Sequence, residues 1–186
     1  MKRIFLPVVL AVVALSGCKK DKPEPVNEEE VITTVKLTFT SATGGSPVVA
    51  EWKDADGDGS GAPVVGSATL SANRTYAMTV EILNESVVPA TNTTGEIKAE
   101  AQDHQLFFAK SAGLNLTVAY DDADGDGKPI GLANVVTTGA ASTGTLQVTL
   151  RHALNKSGAN VSTGNVTNAG GETDVETVPP FTITVQ

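Results

Sequence analysis

The sequence predicts an all-β protein: an antiparallel two-sheet (immunoglobulin-like) sandwich of about seven strands with an internal duplication. Three observations carry this. Apolar residues recur with period two in six segments, Gly-, Asn- and Pro-rich stretches separate those segments, and one Asp-rich turn occurs twice. The first segment starts at Val31, where Val31, Thr33, Val35, Leu37 and Phe39 share a face and Thr34, Lys36, Thr38 and Thr40 take the other. Next, Val48, Ala50 and Trp52 alternate with Val49, Glu51 and Lys53, and then Tyr76, Met78, Val80 and Ile82 with Ala77, Thr79 and Glu81. A helical pattern of about two turns at most spans Gly95 to Gln102. His104 to Ala109 is a seventh, less regular strand candidate. Leu114, Leu116, Val118 and Tyr120 alternate with Asn115, Thr117 and Ala119, then Leu146, Val148 and Leu150 with Gln147, Thr149 and Arg151. Phe181, Ile183 and Val185 close the series. Strands with one buried face and turns between them pack as a sandwich.

There is an internal repeat. The run Ala50 to Gly59 (AEWKDADGDG) returns as Val118 to Gly127 (VAYDDADGDG), and Thr79-Val80-Glu81 parallels Thr149-Leu150-Arg151. Each half holds too few strands to bury a core alone, so 31–186 is expected to be a single domain.

The N-terminus reads as an address. Lys2 and Arg3 precede an apolar run from Ile4 to Leu15, shorter than the roughly 20 residues a membrane span needs. It ends in Leu15-Ser16-Gly17-Cys18, the form of a bacterial lipobox, and Cys18 is the only cysteine of the chain. Residues 1–17 are therefore expected to be a lipoprotein signal peptide. Cys18 is the expected lipidation site, and 18–30 a Pro- and Glu-containing tether to the membrane. A single cysteine excludes a disulfide framework, and a net charge of −8 argues against a nucleic-acid partner.

The acidic turns are the strongest chemical signal. Asp54, Asp56 and Asp58 with Gly59, and Asp122, Asp124 and Asp126 with Gly127, both spell D-x-D-x-D-G. Alternating aspartates on a tight turn offer carboxylates to a hard cation, so calcium is the expected cofactor. Position twelve of an EF-hand loop is Val65 or Ala133 here, so neither turn is an EF-hand, and Glu172 and Asp174 are candidate distant ligands. The alternative is that Asp and Gly simply make good surface turns. His104 has the parity of Leu106 and Phe108, and His152 that of Leu150. They are either hydrogen-bonded, partly buried imidazoles or a shared ligand or soft-metal site, with Asp103 as a further candidate. The chain contains no G-x-S-x-G, H-E-x-x-H, P-loop or G-x-G-x-x-G pattern, so a non-enzyme is expected.

The lipobox, the Val31-Ile32-Thr33-Thr34-Val35 start, the Trp52 turn, Asp103 to Phe108 (DHQLFF), Leu150-Arg151-His152 and Gly170 to Val175 (GGETDV) together resemble a family of small lipoproteins. These belong to Bacteroidetes-type bacteria, are often encoded beside TonB-dependent outer-membrane receptors, and are often labelled type 1 periplasmic binding fold superfamily proteins. That label names alternating strands and helices, whereas the period-two segments here predict strands. The resemblance implies a lipid-anchored outer-membrane protein, facing the periplasm or the surface, that is a ligand- or metal-binding accessory to an uptake receptor. A structural or adhesive sandwich with calcium-stiffened loops is the alternative, and a carboxylate-dependent hydrolase a further one. Replacement of the acceptor thiol by Cys18→Ser is expected to abolish acylation. Metabolic labelling with a fatty acid checks this, and normal labelling of the variant would disprove the anchor.

Overall fold

The protein is described here by a computed structural model covering residues 31–55 and 61–186; Cys18, the 18–30 segment, Asp56 and Asp58 lie outside the described residues. In chain order the elements are β1 (Thr34–Ser41), β2 (Val48–Lys53), β3 (Val64–Val65), β4 (Ser67–Leu70), β5 (Thr75–Asn84), β6 (Thr91–Asn92) and α1 (Thr94–Ala99). They continue with β7 (His104–Lys110), β8 (Leu116–Tyr120), β9 (Ala133–Thr138), β10 (Ser142–His152), β11 (Glu172–Glu176) and β12 (Phe181–Val185). The fold is nearly all β, as the alternation predicts.

Two sheets face each other. The first runs β3-β2-β1-β5-β9-β8, with β6 on the end of β5. In the second, β10 is central, with β7 on one side and β11 and β12 along the other, and β4 beyond β12. Inward-facing residues alternate as the sequence requires. Val35, Leu37 and Phe39 of β1, Tyr76, Met78, Val80 and Ile82 of β5, Leu146, Val148 and Leu150 of β10, and Phe181, Ile183 and Val185 of β12 form one buried core. Apolar area removed from water supplies the drive for this packing, at about 25 cal/mol per Å².

Three details depart from the expectation. Among the described residues there are twelve strands rather than about seven: β3 and β6 are two-residue pairs too short to show a period, and β4, β9 and β11 are the other three additions. The second sheet is mixed, since β4 pairs with β12 in parallel. Val31 lies before β1 and is exposed, so the buried face starts later than its parity suggests. The helical hint materialises as α1, with Ile97 buried. The duplication holds for the hairpins β2–β3 and β8–β9 and ends there: β5 and β10, which carry the paralleled Thr79-Val80-Glu81 and Thr149-Leu150-Arg151, lie in opposite sheets.

Phe181 is completely buried between the sheets, whereas its neighbour Thr182 is exposed. Phe181→Ala is expected to cost about 3–5 kcal/mol, and Thr182→Ala about 0.5 kcal/mol or less. Urea denaturation measures both, and equal effects would contradict the assigned register.

Candidate functional site

The four antiparallel pairings from β2 through β1, β5 and β9 to β8 make β2 and β8 run in the same direction. Asp54 and Asp122, at the starts of the two acidic turns, therefore lie at the same end of the same sheet. Four strand spacings of about 4.8 Å put their roots roughly 19 Å apart. Asp54 is buried at the base of the first turn.

In the second turn the carboxylates go to separate partners. Asp122 accepts the backbone N–H groups of Gly131, Leu132 and Ala133 at 2.7, 2.8 and 2.9 Å. It closes the turn onto the start of β9. Asp124 Oδ1 accepts the N–H groups of Asp126 and Lys128, both at 2.9 Å, and its Oδ2 accepts from Lys156 Nζ at 2.9 Å. Burial works to raise the pKa of Asp124, but the Lys156 ammonium and those N–H groups outweigh it and hold the carboxyl below the usual range. Asp126 accepts from Gln102 Nε2 at 2.8 Å. The three aspartates that predict a convergent cage thus serve as a turn bracket, an ion-pair partner and a surface tie.

The turn is also fastened to the second sheet. Leu106 N–H donates to Ile130 O at 2.7 Å, and Tyr120 Oη donates to Leu106 O at 2.7 Å while accepting from Gln105 Nε2 at 3.2 Å. Burial pushes Tyr120 up to about 12, against a lowering by Gln105 and with a small rise from Asp122, so the phenol stays a donor.

The side chains that do converge belong to the histidines. His104 opens β7 and His152 ends β10, and the β7–β10 register sets them directly opposite each other. Their rings stack with centroids 4.5 Å apart and planes 7° apart. Both project to the sandwich side, as their parity predicts. Among the described residues, one trio of His, Cys, Asp or Glu has ligand atoms all within 4.8 Å of one another: Glu100, His104 and His152. Glu100 follows α1, and its carbonyl faces His104 Nδ1 at 3.1 Å. A carbonyl only accepts, so Nδ1 carries the proton of this contact, and in the neutral ring Nε2 then holds the lone pair.

That lone pair faces Asp174. Leu150 pairs with Val175 but Arg151 pairs with Thr173, so Asp174 is the extra residue of a β-bulge in β11. A bulge re-aims a side chain. Here it turns the Asp174 carboxylate inward, where only 6% of the side chain is exposed and Oδ2 lies 3.7 Å from His104 Nε2. Oδ2 makes no hydrogen bond among the described residues. Burial raises the Asp174 pKa, opposed by the charge of His104 and His152 and reinforced by Glu172. Gly171 makes the close approach of β11 possible. Its φ is +68°, and a Cβ there would come within 2.2 Å of His152 O.

The sequence signals for Asp174 and Glu172 pointed to the acidic turns; the structure brings Asp174 to the histidines instead, and Glu172 pairs in register with His152. Asp103 is exposed, and its backbone N–H closes the turn onto Glu100 O at 2.9 Å. Glu100 itself carried no sequence signal, because its place depends on where α1 stops. No protein-family model, curated protein or solved structure matches this chain.

Asp122→Ala strands three backbone donors and is expected to lower stability by about 2 kcal/mol or more. Asp126→Ala, which removes an exposed tie, should change it by about 0.5 kcal/mol or less. Equal chemical denaturation midpoints for the two variants would refute the division of labour within the turn.

Proposed function

We propose that this chain is an envelope lipoprotein that captures a borderline divalent cation of the zinc or copper class at Glu100, His104 and His152, with Asp174 facing His104 as a further carboxylate. The observation that carries the reading is the buried confrontation of two acceptors, the His104 Nε2 lone pair and Asp174 Oδ2, at 3.7 Å. With a neutral ring both atoms are acceptors, and two acceptors repel unless a cation or a proton lies between them. Zinc binds imidazole nitrogen and carboxylate oxygen at about 2.0–2.2 Å, so two ligands of one tetrahedral ion stand roughly 3.3 Å apart. A 3.7 Å gap is longer than a hydrogen bond and within about half an ångström of that bite. The stacked rings, with centroids 4.5 Å apart, bring two imidazoles to one place. Two imidazoles with carboxylates suit zinc or copper, whereas calcium takes oxygen ligands.

The membrane address at residues 2–18 and the resemblance to lipoproteins encoded beside uptake receptors support placing this activity at the outer membrane. The role that fits is an accessory that holds the cation, or a ligand carrying it, for an outer-membrane receptor.

Isothermal titration of the mature protein is expected to show about one equivalent of zinc or copper(II), undiminished by excess calcium. His104→Ala and His152→Ala should abolish uptake, and Asp174→Asn should weaken it at least about tenfold. Absence of uptake, or uptake indifferent to both histidine substitutions, would disprove the assignment. A proton in place of a metal would appear as a titrating His104–Asp174 pair with no metal isotherm.

A further inference from the structure

Lys156 is a buried ammonium that the proposed metal chemistry does not use. Only 6% of its side chain is exposed, and only 1% of that of its partner Asp124. Its three protons go to three oxygens: Asp124 Oδ2 at 2.9 Å, Pro129 O at 3.0 Å and Ala101 O at 2.5 Å. One carboxylate of the second acidic turn, the Pro129 carbonyl just beyond it and the Ala101 carbonyl from the 100–103 turn thus gather on one positive charge. The ammonium is a covalently attached ion in the acidic turn.

Its third acceptor matters for the site. Ala101 follows Glu100, whose carbonyl receives Asp103 N–H and faces His104 Nδ1. Gln102 Nε2 adds the tie to Asp126. At its other end, Lys156 lies four residues beyond His152, where the chain has just left β10. One side chain thus links the exit of His152, the second acidic turn and the turn that carries Glu100. A buried ion pair is often no more stabilising than apolar residues of the same volume, so stability alone is a weak reason to keep one.

We propose that Lys156 is the positioning residue of the metal centre, its ammonium seated in the second acidic turn and fixing the 100–103 turn that places Glu100 beside His104 and His152. This rests on the metal reading above. The test is copper(II) titration with paramagnetic resonance spectra on the mature protein and on Glu100→Gln, Lys156→Met, the pair Lys156→Met/Asp124→Asn, and that pair combined with Glu100→Gln. The Lys156→Met/Asp124→Asn pair leaves no lone buried charge and keeps the Asn oxygen for the N–H groups of residues 126 and 128. It carries the test even where Lys156→Met alone does not fold.

The expected result is an affinity loss of about 10- to 100-fold in the pair, with the same spectral change as Glu100→Gln. Adding Glu100→Gln to the pair should then cost nothing more, the mark of residues acting as a unit. Wild-type affinity in the folded pair, or losses that add in full, would overturn the proposal while leaving the metal reading intact. No copper binding by the wild type would overturn both.

Discussion

The central strand of the second sheet, β10, is the constraint on which the rest depends. Its C-terminal half is paired on both sides, with β7 across Leu146 to His152 and with β11 across Thr149 to His152. Backbone pairing on two sides leaves no freedom in register, and a one-residue slip would turn every side chain to the opposite face. The buried row Leu146, Val148 and Leu150 therefore fixes where His152 points, and the pairing with β7 then fixes His104. The histidine pair is a by-product of core packing carried two residues, one same-face step, past Leu150.

The acidic turns illustrate how one motif is put to different uses. D-x-D-x-D-G concentrates negative charge on a short arc, and some positive group must answer it. In the second turn the answers come from inside the protein: backbone N–H dipoles at the start of β9 for Asp122, and the ammonium of Lys156 for Asp124. Solving the electrostatics with the chain's own groups also does structural work. The edge of the first sheet is also tied to β7, where Leu106 N–H donates to Ile130 O and Leu106 O accepts from Tyr120 Oη.

Much of the fold was legible because burial alternates with the same period as the pleat. The rows in β1, β5, β10 and β12 could be read directly, as could the inward parity of His104 and His152. The site was legible only in part. Stacking of the two rings needs the β7–β10 register, which joins residues nearly fifty positions apart and leaves no local trace. Asp174 sat in a polar run whose alternation is broken by the bulge, so its parity alone gave no direction. Lys156 stands alone in a Gly- and Asn-rich stretch with no local pattern that marks a lysine for burial. Its burial follows from the return of the 153–171 loop over the second sheet, where Phe107, Leu154, Val161 and Ala169 make a satellite core.

The bulge in β11 makes the site sensitive to chain length rather than to side-chain identity. Loss of one residue between Glu172 and Asp174 would let the strand pair evenly with β10 while keeping Val175 opposite Leu150. The residue then opposite Arg151 would face outward, and the inward carboxylate would be gone. The sandwich would lose one unpaired residue and nothing of its core. A single codon deletion could in this way separate the scaffold from its site, and related chains that differ by one residue at this point would share the fold without sharing the chemistry.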